Sequence, residues 1–292
     1  MVRNLYEEKE LKRVSEMRNH RVNIPECNGN RELLLSFLVL SEKREKLLLF
    51  LRNGPKTLQG IRDSLDVTSA GIIPEIRKME EKQLIYQMNR EYALTEIGEV
   101  VAESMFQFEG VLRIFSENTE FWSKHNISGI PREFSMRLHE LGKYEIIKST
   151  TTDILRPQNE YMKNLLNAKW MKGVSAVLHP GYPEYVLNLA EKGIPVSIIV
   201  TGELLDTIKD KCRKELEKGK HYKNVTIMVS DEKIGVCFAV TDFFLSMRFF
   251  LKDGTYDFYQ NILSFEESAV RFGEDLFSYY KDRSKKIRIE DI

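Results

Sequence analysis

The chain has 292 residues, with 44 Lys plus Arg against 44 Asp plus Glu, 30% charged and 42% hydrophobic. That length suggests about two domains of roughly 150 residues each, and the longest apolar run, residues 33–40, falls far short of the roughly 18 residues that span a bilayer. A transmembrane helix is therefore excluded, and an N-terminus without an apolar stretch or cleavage site argues against a secretory signal and for the cytoplasm.

Residues 1–30 are charge-rich, close on Pro25, Asn28, Gly29 and Asn30, and read as a weakly helical arm. From Arg31 to Arg52 the chain turns apolar, which predicts one or two buried helices stopped by Asn53-Gly54-Pro55. Thr57 can cap a short helix through Leu65 whose apolar stripe is Leu58, Ile61 and Leu65. After the turn Asp66-Val67-Thr68, a second helix capped by Thr68 or Ser69 runs to about Lys82, with Ile72, Ile76 and Met79 on one side. Two short helices joined by a tight turn make a helix-turn-helix. Pro74 removes one bond of the second helix and predicts a kinked or separate first turn, 68–73. The alternating stretches 84–88 and 91–94, joined at Asn89-Arg90, predict a β-hairpin, which beside a helix-turn-helix is a wing.

Thr95 opens the next helix, where Ile97, Val101, Ser104, Phe108, Val111 and Phe115 step by four and three. That is a heptad seam, expected to join two copies of the chain. Beyond Tyr144, strands are predicted at 144–148, 174–178 and 195–200, alternating with helices at 158–168, 182–192 and 203–218, the pattern of a parallel α/β sheet. Strands at 225–229, 234–240 and 243–251 then form a meander, and Ser264 with Glu267 makes a capping box for a last helix to about Asp282. The domains expected are an arm (1–30), a winged helix-turn-helix (31–94), a dimerising helix (95–118) and an α/β effector domain (119–292).

The proline-bearing stretch 72–81, the segment Val240-Thr241-Asp242-Phe243-Phe244-Leu245-Ser246-Met247 with 250–257, and the closing helix 272–280 carry a resemblance. On these the chain resembles the winged-helix transcriptional regulators of methanogenic archaea that carry the FilR-type middle domain, over roughly residues 35–285. It departs from them in the arm and at Glu75, where the family more often places a basic residue. The resemblance implies a DNA-binding transcription regulator whose second domain senses an effector.

Residues 41–94 hold ten basic and eight acidic residues, a balance of +2 and a weak footprint for phosphate binding. The groups expected at double-stranded DNA are Lys56, Thr57, Thr68, Ser69, Gly71, Pro74, Glu75, Arg77 and Lys78, with Arg90 at the wing tip. Glu75 suits a cytosine amine. Two recognition helices held by the seam Ile97, Val101, Phe108, Val111 and Phe115 would read half-sites roughly 34 Å apart.

In a parallel sheet ligands gather at the carboxyl ends of strands, so His179 and Thr201 are candidate effector contacts, with Asp242, Arg248, Tyr256 and Asp257 from the distinctive C-terminal segment. Arg248 stands out because it interrupts an apolar strand and needs an acidic partner or ligand if it faces inward. An enzyme reading rests on His221-Tyr222-Lys223, an HxK like the core of the phospholipase D signature. The aspartate that signature wants five residues after the lysine is Met228 here, and no second HxK exists, so a phospholipase D-like fold without catalysis is the most it implies. No GxSxG, HExxH or phosphate-binding glycine loop is present. The three cysteines, Cys27, Cys212 and Cys237, form no CxxC or zinc spacing. No enzyme activity, cofactor or metal is expected. The alternative to a DNA-binding regulator is a winged-helix module that docks on another protein.

Overall fold

The computed structural model describes residues 30–179 and 181–287, with side chains from Leu34 onward. The expected arm lies outside the described residues except for Asn30, where the first helix begins, and so does Cys27. The chain divides into two compact units, Met1–Met105 and Phe106–Ile292.

In the first unit, α1 (Asn30–Val39) and α2 (Glu42–Leu51) are followed by the short β1 (Lys56–Thr57), then α3 (Leu58–Leu65) and α4 (Ser69–Glu81). Both of the latter helices start on a threonine cap: Thr57 Oγ1 accepts from the Gly60 amide at 3.1 Å, and Thr68 Oγ1 from the Gly71 amide at 3.2 Å. Asp66, with φ of 52°, ends α3 in the left-handed region that Asp tolerates better than most residues. Apolar side chains at helical spacing then converge. Leu47, Leu48 and Leu51 of α2 bury with Ile61, Ile72, Ile76 and Met79 in one core. Pro74 lies inside α4 without breaking it, so the separate first turn expected from its missing N–H is not found; the helix runs unbroken from Ser69. The capped first turn and the buried Ile72 and Ile76 on either side of the proline hold the helical path.

The hairpin pairs β2 (Ile85–Met88) with β3 (Glu91–Leu94), and β1 adds to the far side of β3. Its two-residue turn has positive φ at both Asn89 (51°) and Arg90 (67°), the geometry that matches the right-handed twist of a hairpin. Thr95 receives the first turn of α5 (Glu96–Glu117) through the Gly98 amide at 2.9 Å, and its own amide donates to the Leu84 carbonyl at 3.0 Å. The helix start passes so close to this corner that a Cβ on Gly98 would lie 1.9 Å from Leu84 O.

The second unit is built on one sheet. After α6 (Thr119–Lys124) and α7 (Arg132–Ser135) come β4 (Tyr144–Lys148), α8 (Arg156–Leu165), β5 (Met171–Ser175), α9 (Tyr182–Glu191), β6 (Val196–Thr201), α10 (Gly202–Lys211), α11 (Arg213–Gly219) and β7 (Val225–Ser230). Then follow β8 (Val236–Thr241), β9 (Leu245–Phe249), β10 (Gln260–Ser264), α12 (Glu267–Lys281) and β11 (Ser284–Ile287). The strand order is β11-β7-β6-β5-β8-β9-β10-β4, and only β5, β6 and β7 run parallel. The sheet is therefore mixed rather than parallel, because the chain returns from β7 through short turns that leave no room for crossover helices. The stretch 203–218, expected as one helix, divides at Cys212, whose ψ of 32° leaves the helical range. The expected capping box at Ser264 is not formed: Ser264 Oγ reaches the carbonyls of Leu141 at 2.8 Å and Lys143 at 3.0 Å, and Glu266 takes the cap position.

Alternation along the strands gives the sheet two different faces. One carries Val174, Ile199, Phe238, Val240, Leu245, Met247 and Phe249 against α12 and the aromatic cluster of Phe121, Trp122 and Phe134. The other carries Gly173, Ser175, Ala239, Ser246 and Arg248, with α8 to α11 on that side.

Candidate functional site

The first unit offers a candidate nucleic-acid face. Thr68, Pro74, Arg77 and Lys78 are exposed on α4, Ser69 and Gly71 are half-buried, and Arg90 is exposed at the hairpin turn. Thr57 and Thr68 spend their hydroxyl oxygens as caps, while Lys56 bonds the Asn53 carbonyl at 3.1 Å and lies over the Phe50 ring. Glu75 is engaged within the protein: one carboxylate oxygen stands 2.9 Å from Lys78 Nζ, and the other 3.0 Å from Arg44 Nε of α2. Arg44 in turn lies 4.0 Å over the Phe37 ring. Sequence reasoning missed this bridge, although an acid three residues before Lys78 was a signal for half of it. Among the described residues, Arg77 and Arg90 make no ion pair, so their charges are uncommitted.

Along α5 the buried positions are Gly98, Ala102, Met105, Gly110 and Ile114. Ile97 and Phe108 of the seam are exposed, at 56% and 54%, and Val101, Val111 and Phe115 are half-buried. Val100 and Leu112, both exposed, extend the same helical stripe.

In the second unit a mostly apolar cavity of about 160 Å³ lies between the small-residue face of the sheet and α8 to α11. Gly173, Ser175, Ala239 and Ser246 form part of its wall, and their small side chains leave the volume open. Arg248, only 4% exposed, projects from β9 into this wall, paired in register with Cys237 of β8. Its Nη2 donates to Gln158 Oε1 at 3.3 Å, while Nη1 makes no hydrogen bond, and neither does Gln158 Nε2. No ion pair joins Arg248 to a carboxylate among the described residues, and the one acid in the wall, Glu215, comes from α11. Tyr161, Tyr182 and Tyr256 also line the space; burial pushes all three phenols up, so they stay protonated donors. Burial pushes the Cys237 thiol up as well, which keeps it a weak nucleophile.

Of the six effector residues expected, the structure brings Arg248 and Tyr256 together at this cavity. His179 is buried with its ring stacked on Tyr182 at 4.7 Å. Thr201 caps α10 by accepting from the Leu204 amide at 3.2 Å, and Asp242 accepts from the Lys169 amide at 2.8 Å. Asp257 is buried against His125, with Nε2 3.0 Å from Oδ2, while His125 Nδ1 is 2.7 Å from the Phe121 carbonyl. Gln158, Tyr161 and Tyr182 were missed, because they come from helices distant in sequence; the alternation of Ser246 and Arg248 was the only local sign of a polar strand face. His221 and Lys223 are exposed between α11 and β7, and Met228 is buried in the core.

Residues 154–283 match the methanogenesis regulatory protein FilR1 middle domain, and residues 34–114 match the HVO_A0261 N-terminal domain. The chain is 26% identical over 259 residues to methanogenesis regulatory protein FilR1 of Methanothrix harundinacea, an alignment covering 86% of this chain and 57% of the relative. The chain thus spans a little over half the length of that relative. Among solved structures it is similar to TrmBL2, an archaeal chromatin protein with a novel mode of DNA binding, at 12% identity and a TM-score of 0.40 over 89% of this chain and 100% of that one. It is also similar to the phospholipase D family member Nuc from Salmonella typhimurium, at 11% identity and a TM-score of 0.37 over 50% of this chain and 98% of that one.

Proposed function

We propose that the chain, whose residues 154–283 match the methanogenesis regulatory protein FilR1 middle domain, regulates transcription by binding double-stranded DNA through its first unit. In this reading α3, α4 and the hairpin are a winged helix-turn-helix: α4 enters the major groove, and the hairpin turn reaches the backbone. The observation that carries it is the exposed, capped α4 with Arg77 uncommitted on its outer side and Arg90 uncommitted at the turn. With so small a surplus of positive charge in the head, two heads must act together for useful affinity. The exposed stripe of Ile97, Val100, Phe108 and Leu112 on α5 supports a homodimer that supplies the second head. The second unit holds a small-molecule effector, which acts only if it binds one arrangement of the dimer more tightly than another.

Fluorescence anisotropy on DNA from upstream of the protein's own gene and on scrambled DNA, over a salt series, tests this reading. The expected result is specific binding that weakens steeply with salt. Arg77→Ala should lower affinity roughly tenfold and reduce the salt slope by about one. Equal affinity for both DNAs, or none for either, sinks it.

A further inference from the structure

Burying a guanidinium with one nitrogen unbonded is costly unless an anion compensates it. Here the unmatched group lies at the wall of an apolar cavity, and Gln158, which accepts from its other nitrogen, carries a second unmatched donor. Arg248 Nη1 and Gln158 Nε2 both lack an acceptor, and the phenols of Tyr161, Tyr182 and Tyr256 are protonated donors lining the same space. A buried constellation of donors with no carboxylate paired to Arg248, the one acid of the wall being Glu215 of α11, matches a ligand that brings the negative charge itself. The cavity sets the rest of the molecule: about 160 Å³ is close to the roughly 150 Å³ that accommodates benzene in an apolar protein cavity.

We infer that the second unit binds a small organic monoacid, whose carboxylate pairs with Arg248 while a body of about six carbons fills the cavity over Gly173, Ala239 and Ser246. This rests on reading the second unit as the effector-binding part of a regulator, and it adds the chemical class of the effector. Arg248 provides the charge and Gln158 orients it. The small side chains of the sheet face provide the room.

The test is isothermal titration of the full chain with two pairs of probes, benzoate against benzamide and hexanoate against hexanamide. Each amide keeps the shape and loses the charge. The expected result is that at least one acid binds tenfold or more tightly than its amide. Arg248→Met combined with Gln158→Leu should abolish that preference while leaving the melting temperature within a few degrees, because both halves of the polar pair become apolar together. Gly173→Val, which reduces the room, should weaken the acid and leave the fold intact. Equal binding of acid and amide, no binding of either pair, or acid binding that survives the double variant each overturns the inference. None of these outcomes touches DNA binding, which the anisotropy experiment decides separately. Acid binding that leaves DNA affinity unchanged supports the ligand class and rejects the coupling to DNA.

Discussion

Glu75 stands on the proposed nucleic-acid face, which would gain from positive charge, yet it neutralises two cations, Lys78 at 2.9 Å and Arg44 at 3.0 Å. Removing its charge has two opposite effects. Glu75→Gln is expected to raise affinity for scrambled DNA several-fold, since two cations lose their internal partner, and to cost up to about 1 kcal/mol of stability. Anisotropy and thermal melts read the two effects on one preparation; a fall in DNA affinity contradicts the expectation. Asp257 belongs to the fold instead. Burial would raise its carboxyl, but bonds from His125, the Tyr259 amide and Gln260 outweigh burial and hold it below its ordinary value. A carboxyl lowered by folding binds fewer protons in the folded state, so its stabilisation is complete above about pH 4 and fades as pH falls through the lowered value. Asp257→Asn is thus expected to cost about 3 kcal/mol at neutral pH, and the difference in melting temperature from the parent should shrink below about pH 4. A gap that stays constant down to pH 3 rules out this account.

At the scale of elements, the corner between α4 and β2 shows how a close approach fixes a residue type. Two glycines inside α5 each cost about 1 kcal/mol relative to alanine in a free helix, yet a Cβ at Gly98 would meet the Leu84 carbonyl at 1.9 Å, and one at Gly110 would meet His139 Cβ at 2.7 Å. Gly98→Ala should therefore destabilise by about 2 kcal/mol or more, reversing the helix preference, because backbone cannot move aside as a side chain can; a thermal melt unchanged or raised would refute it. The same elements show what was legible in advance. α3, the Asp66 turn, α4, the hairpin and α5 announce themselves through threonine caps, left-handed turn residues and helical spacing, all of them local signals. β10 and β11 did not, since Gln260-Asn261-Ile262 and Ser284-Lys285-Lys286 lack strand composition and become strands only by pairing with β4 and β7. The cavity was legible at two residues, Tyr256 and above all Arg248, which betrayed itself as a charge in an apolar strand, whereas Gln158 and Tyr182 are assembled by topology alone.

For the molecule as a whole, the proposed homodimer rests on the outward stripe of α5. Phe108 is 54% exposed in the single chain and lies at the middle of that stripe, so Phe108→Glu is expected to convert a dimer into a monomer and reduce DNA affinity at least tenfold, with the circular dichroism spectrum unchanged. Light scattering on a sizing column reads the mass directly; a dimer that persists removes the stripe from the interface. Within the second unit, the two faces of the sheet separate two demands. The side packed on α12 is filled with Phe, Leu, Ile and Val, and any change of volume there is felt as strain or void. The other side is floored by Gly173, Ser175, Ala239 and Ser246, where adding or removing a methyl group alters the room above the strands and leaves the opposite core intact. Drift at these four positions can therefore change what fits inside while the scaffold stays the same, so related chains can diverge in chemical taste long before they diverge in shape.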